Sequence, residues 1–347
     1  MIPHCAHRMP GNGRLAEMAA TPNVATAVDA VGTQRIARLR TSAAADYWVL
    51  TKPEVNFLIM VATGAGFYLG CPIDLDAFPL MQLVHTVLGT LLVASGAATL
   101  NQYVERHFDA QMRRTARRPL AAGRLDPSAA LRFGVVLTFA GALYLAVALN
   151  SLASLLALFT VATYIGVYTP LKRKTPLCTL VGACSGAMPP LIGWAAASGR
   201  LSAEAWILCG ILFLWQFPHV MAIAWMYRED YDRAGYLILP AVARRGRFMA
   251  WQSVLPAVAL IPLSLMPTFL GDADRAYLIG AVLLSSGFAW YAAQLALRRS
   301  NAIARRLLFA SIIYLPALLT LLMAQKTSLR NSAGFAIAAV LTSHEAR

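Results

Sequence analysis

The chain has 347 residues, 58% of them hydrophobic and only 13% charged, with a formal net charge of +14. A soluble globular domain is about a quarter charged, so this composition excludes one and calls for a lipid environment. The basic residues lie mostly in short loops between apolar runs, which argues against nucleic acid as a partner.

Residues 1–46 are rich in Ala, Thr and Gly and show no helical periodicity; Arg8, Arg14, Arg35, Arg38 and Arg40 outnumber Glu17 and Asp29. They read either as a disordered basic extension or as an organellar transit peptide, because both are arginine-rich and acid-poor. No apolar stretch of signal-peptide length is expected in them.

Residues 47–325 hold recurrent apolar runs, near 55–71, 80–100, 132–149, 152–169, 177–197, 203–225, 249–270, 277–297 and 307–324. Each is about long enough to span a hydrocarbon core of roughly 30 Å. They predict an all-α polytopic membrane protein with nine transmembrane helices and a short tail, 326–347. In that tail Phe335–Leu341 is too brief to cross. The tight Asn150-Ser151 break makes the third and fourth spans antiparallel neighbours. Nine spans put 25 of the 30 Lys and Arg residues on one side, which the positive-inside rule places in the cytoplasm or matrix together with the N-terminus. The five cysteines (Cys5, Cys71, Cys178, Cys184, Cys209) show no zinc spacing, and those in or beside apolar runs are expected to be small buried thiols.

The second span emerges into Asn101, Glu105 and Asp109, four residues apart. If the helix continues, they form a stripe on one face, with His107 pointing roughly opposite. Oxygen donors at that spacing suit a hard cation such as Mg²⁺, which takes one or two protein carboxylates and completes its shell with water and phosphate; the plainer reading is a solvated helix end among headgroups. Arg113, Arg114, Arg117 and Arg118 follow, before a turn at Pro119 and Gly123. Arginine forks suit phosphate, and they serve equally as membrane anchors. The proline-bounded turn Tyr168-Thr169-Pro170-Leu171-Lys172-Arg173-Lys174 has the same two readings, topology determinant or phosphate contact.

A second cluster follows the sixth span: Pro218-His219, then Arg228-Glu229-Asp230-Tyr231-Asp232-Arg233. It repeats the first on the same side of the membrane, and two acidic clusters at one interface can hold two Mg²⁺ ions around a diphosphate. His219, inside an apolar helix, is either a packing residue or a haem-iron ligand. His85, in the middle of the second span, is expected to be structural.

These clusters resemble the UbiA superfamily of intramembrane prenyltransferases, whose N-x-x-x-D-x-x-x-D motif, followed by R-T-x-x-R-P-L, is similar to Asn101…Glu105…Asp109 and Arg114-Thr115-Ala116-Arg117-Arg118-Pro119-Leu120. Within it the haem-prenylating branch is closest. The residues that say so are Leu50-Thr51-Lys52-Pro53, Tyr168–Arg173, Gly186–Trp194, and Pro218-His219…Asp230-Tyr231…Ala234-Gly235…Leu239-Pro240. The likeness runs from about Leu50 to Pro240 and rests on topology beyond.

The resemblance implies a UbiA-type bundle of nine helices around a central cavity opening to lipid. It implies transfer of the farnesyl group of farnesyl diphosphate to the vinyl group of haem b, with water addition. Asn101, Glu105, Asp109 and Asp230 would be catalytic, and with Glu229 they would bind Mg²⁺. Arg114, Arg118 and Lys172 would take phosphate oxygens, and His219 would orient or ligate the haem. Its setting would be the cell inner membrane, or the mitochondrial one in a eukaryote, with haem A synthase or oxidase-assembly factors as partners. A polyprenyltransferase acting on 4-hydroxybenzoate is the alternative; a transporter is disfavoured because the middles of the spans are almost free of charge. Glu105 and Glu229 stand where aspartate is usual, and His107 stands where the haem branch has a carboxylate. Because His107 lies off the stripe, its loss of charge is expected to be tolerated.

Overall fold

A computed structural model describes residues 42–72, 78–239, 248–271 and 273–345, with backbone alone for Ala250 and residues 327–345. The expected extension over 1–46 lies almost wholly outside the described residues, as does much of the basic loop near 228–247.

From Ala43 onward the chain is one unit built of helices. They are α1 (Ala43–Leu50), α2 (Pro53–Gly70), α3 (Leu80–Asp109), α4 (Pro127–Ala148), α5 (Ser151–Leu171), α6 (Cys178–Gly186), α7 (Met188–Ser198), α8 (Ala203–Met226), α9 (Arg228–Arg233), α10 (Phe248–Phe269), α11 (Arg275–Arg298) and α12 (Asn301–Glu345). In α5 the stretch Ala162–Tyr168 is π-helical, and α6 and α7 meet at Ala187 as one broken span.

Eight of these segments are long and apolar enough to cross a membrane, so the protein is a multi-pass membrane protein. The expected count of nine is not reproduced by that measure. Its first member, α2, is a helix of 18 residues, but Pro53, Glu54 and Asn56 crowd its first turn and dilute its apolar content. The last helix starts earlier than the apolar run near 307–324 and continues past it.

The ends follow local chemistry. Asp126 accepts from the Ala129 N–H ahead of Pro127, which starts α4. Asn150 accepts from the Ala153 N–H and donates to the Ala195 carbonyl, so one side chain starts α5, makes the tight turn after α4 and ties it to α7.

Lipid is as apolar as leucine, so close approach and hydrogen bonds hold membrane helices together. On α4, Val136, Phe139, Leu143 and Val147 face outward, whereas Gly134, Thr138, Gly141 and Leu145 pack on α3. Helix α2 meets α7 with backbones almost touching. A Cβ on Gly66 would sit 2.2 Å from the Pro190 carbonyl oxygen, and one on Gly193 2.0 Å from that of Thr63. Around α10, α11 and α12 a second core holds a buried hydroxyl network of Ser264, Ser285 and Tyr314, joined by Tyr277 through the Ser264 carbonyl. Lys326 of α12 donates to the carbonyls of Tyr68, Leu69 and Cys71 at the end of α2, a cation where a helix C-terminus favours one. Cys71, Cys178 and Cys209 are buried free thiols as expected, whereas Cys184 is exposed.

Candidate functional site

Helix α3 runs without a break from its apolar half through the first cluster. Asn101, Glu105 and Asp109 are all buried along one face, and His107 is exposed. Each polar group of the stripe meets a cation. Asn101 Oδ1 accepts from Lys52 Nζ at 3.0 Å, Glu105 Oε1 from Lys172 Nζ at 2.7 Å, and Asp109 Oδ2 from Arg118 Nη1 at 2.7 Å.

The second cluster sits on α9, set off from α8 by the non-helical Tyr227. Asp230 is buried and Glu229 exposed. Asp230 accepts from the backbone N–H of Arg114 at 3.3 Å and pairs with Arg233. The Arg114 guanidinium donates to the Tyr231 hydroxyl at 2.8 Å and lies over the Tyr227 and Tyr231 rings. The clusters that sequence spacing sets apart therefore meet through the arginine loop. Beneath them Met112, Cys178, Met221, Tyr231, Tyr236 and Leu239 form a small apolar core.

The arginine loop is held at both ends. Thr115 donates to the Asp109 carbonyl at 2.8 Å. Arg124 forms a fork on buried Asp46 of α1, with contacts of 2.8 and 3.1 Å, and also reaches the Arg117 carbonyl. Arg113 and Arg117 are exposed.

Burial opposes the Lys172 ammonium, but the Glu105 carboxylate overcomes it and raises the pKa above the ordinary lysine value. Lys52 goes the other way: burial, helped by the Arg118 charge, lowers its pKa to about 7. Tyr236 is pushed up by burial and then by the Glu105 and Asp109 charges. Neither Lys52 nor Tyr236 was expected at the site: Lys52 lies in the Leu50–Pro53 stretch that carries the family resemblance but had no role there, and Tyr236 falls between matched residues. The Lys52 backbone is left-handed (φ 51°), a conformation disfavoured for a residue with a side chain. Only the fold puts its amine beside Asn101.

Among the described residues no three His, Cys, Asp or Glu side chains converge into a metal cage. What the cluster offers is fewer hard oxygens in one place. Asp109 Oδ1 is buried with no hydrogen-bond partner, whereas the Tyr236 hydroxyl faces the Glu105 carboxylate. Such an orphaned oxygen is costly unless something else contacts it.

A cavity of about 540 Å³ adjoins the cluster, walled by α2, α3, α5, α6, α7, α8 and α12. Its surface is mostly apolar, with Lys52, Tyr164, Tyr168, Gln216 and His219 among the polar exceptions. Glu105, Asp109 and Asp230 do not line it; Lys52, bonded to Asn101, and Tyr168, whose ring lies under Lys172, connect the two regions. His219 stacks on Trp215 with ring centroids 4.8 Å apart. His85 hydrogen-bonds Tyr144 at 2.6 Å between α3 and α4, the structural role expected of it.

This architecture defines a helical membrane protein with a charged cluster over an apolar chamber, and solved structures share its fold. A digeranylgeranylglyceryl phosphate synthase aligns with a TM-score of 0.67 at 15% identity, covering 82% of this chain and 98% of that one. A UbiA homologue from Archaeoglobus fulgidus bound to GPP and Mg²⁺ aligns with a TM-score of 0.55 at 15% identity, over 80% of this chain and 99% of that one. The chain belongs to the UbiA prenyltransferase family, whose model matches residues 57–341. The protoheme IX farnesyltransferase of Solibacter usitatus is 47% identical over 290 residues, 82% of this chain and 99% of that protein. That of Salinibacter ruber is 43% identical over 278 residues, 80% and 97% of the two chains.

Proposed function

We propose that this protein transfers the farnesyl group of farnesyl diphosphate to the vinyl group of protohaem IX, with addition of water, yielding haem O and diphosphate. The observation that carries the reading is the juxtaposition of a buried acid–base cluster, Asn101 to Arg118 with Asp230, and an apolar cavity lined by the imidazole of His219. Relatives at 41–47% identity named for protoheme IX farnesyl transfer support it over a quinone-precursor substrate.

The oxygen set fits Mg²⁺, which binds few protein carboxylates and shares its shell with phosphate, and Asp109 Oδ1 is a buried oxygen awaiting a partner. Asn101, Glu105 and Asp109 of the first cluster would hold one ion and Asp230 of the second cluster another, with Glu229 at the exposed rim; Mg²⁺ bound there would neutralise the charge of the leaving diphosphate. Lys172, Arg114 and Arg118 contribute the remaining positive charge, already aimed by their contacts with Glu105, Tyr231 and Asp109. Ionisation leaves an allylic cation in the apolar chamber, where Tyr164, Tyr168 and the aliphatic walls keep bulk water from it. The vinyl carbon attacks the cation, and water then adds to the carbocation formed on the haem side, releasing a proton. His219 orients the haem. Under this reading the clusters face the cytoplasm, or the mitochondrial matrix, and the product passes to haem A synthase or oxidase assembly.

The test supplies the purified protein with farnesyl diphosphate, Mg²⁺ and either haem b or 4-hydroxybenzoate. Farnesylated haem is expected; prenylation of the benzoate alone overturns the assignment.

A further inference from the structure

Ser311, on α12, belongs to neither charged cluster, yet it touches His219 and Trp215 together. Its backbone carbonyl accepts from Trp215 Nε1 at 2.9 Å. Its hydroxyl oxygen lies 2.7 Å from His219 Nδ1 and 2.5 Å from the Leu308 carbonyl oxygen. Two oxygens this close need a proton between them, and a serine hydroxyl has only one. That proton goes to Leu308, so towards His219 the hydroxyl can only accept. The proton of the imidazole therefore sits on Nδ1.

The consequence falls on the other nitrogen. In the neutral ring Nε2 is left with a bare lone pair, and it makes no hydrogen bond among the described residues. His219 lines the cavity and is the single imidazole among its described lining residues; none of these is a carboxylate. Stacking on Trp215 and the Trp215–Ser311 bond fix the ring plane. A neutral imidazole with its Nδ1–H tied back and Nε2 directed elsewhere is the form that ligates iron.

We infer that Ser311 is a positioning residue, whose hydroxyl holds His219 in the Nδ1–H tautomer and so presents Nε2 to the iron of the haem substrate. The inference rests on the haem reading above and adds to it a residue that no motif marks. Coordination is lone-pair donation alone, with no bond broken and no electron transferred.

The experiment titrates the full-length protein, in detergent or nanodiscs, with haem b and no prenyl diphosphate, and follows the Soret band and the electron paramagnetic resonance of the bound iron. The unmodified protein should show an imidazole-ligated signature that His219→Ala abolishes. Ser311→Ala should weaken haem binding by about tenfold and reduce that signature, the usual effect of removing a partner behind a ligating histidine. Ser311→Thr, which keeps the hydroxyl, should stay near the unmodified protein, and Ser311→Val, of the same shape as Thr, should behave like Ala. This pair separates the hydroxyl from packing. Unchanged affinity and spectrum in Ser311→Ala and Ser311→Val, with loss in His219→Ala, overturns the inference and leaves the haem reading standing. An imidazole signature that survives His219→Ala overturns the ligand assignment and the inference together. The haem reading itself is judged separately, by the product assay.

Discussion

Lys172 Nζ donates to Glu105 Oε1 at 2.7 Å, and both side chains are more than nine-tenths buried. Glu105 leaves the end of a membrane helix and Lys172 comes from a loop 67 residues later, so this contact fastens the loop after α5 to the acidic stripe. Removing one partner of a buried pair strands the other charge, at a cost of about 3–5 kcal/mol. Glu105→Ala and Lys172→Ala should each lower the thermal midpoint in detergent and abolish turnover. The double variant Glu105→Gln/Lys172→Met should recover the midpoint and not the activity. Recovery of both would show that the pair is only structural.

Burial ranks the carboxylates. Asp109 and Asp230 are enclosed, and Glu229 is exposed. Asp109→Ala and Asp230→Ala should cut the rate of diphosphate release by at least about a hundredfold, while Glu229→Ala costs much less. Membrane insertion should be unaffected in all three. Near-normal release by Asp109→Ala or Asp230→Ala would remove the basis for a metal–diphosphate site.

His107 departs from the motif that the chain otherwise resembles, yet it is exposed and lies off the buried stripe. His107→Asp should therefore hold or raise kcat/KM in the farnesyl transfer assay. A collapse would show that the imidazole has a task of its own.

The α2–α7 contact predicts the sharpest pure stability loss. Gly66→Ala and Gly193→Ala each place a methyl inside 2.5 Å of a backbone oxygen of the other helix. Separating two packed helices to admit it should cost about 1–3 kcal/mol, read as a lower thermal midpoint with haem and diphosphate titrations as controls. Wild-type stability in both variants would mean that the helices slide apart freely.

Much of this was legible in order along the chain. Apolar run length determines that the chain crosses a membrane, and four-residue spacing puts Asn101, Glu105 and Asp109 on one face, because a helix in lipid must satisfy its own backbone and so keeps its period. Those constraints are local. The number of spans was less readable: α2 reads as a span from its apolar run alone and falls short once its polar first turn is counted with it.

Only the tertiary structure decided the partners. Lys52 reaches Asn101 because a left-handed residue turns the chain before α2, Asp230 reaches Arg114 across 116 residues, and Ser311 comes to His219 from the last helix. Sequence period determines which way a side chain points from its own helix. What stands opposite it depends on which helices approach closely enough to touch, and here small residues such as Gly66 and Gly193 and a handful of buried hydrogen bonds decide that.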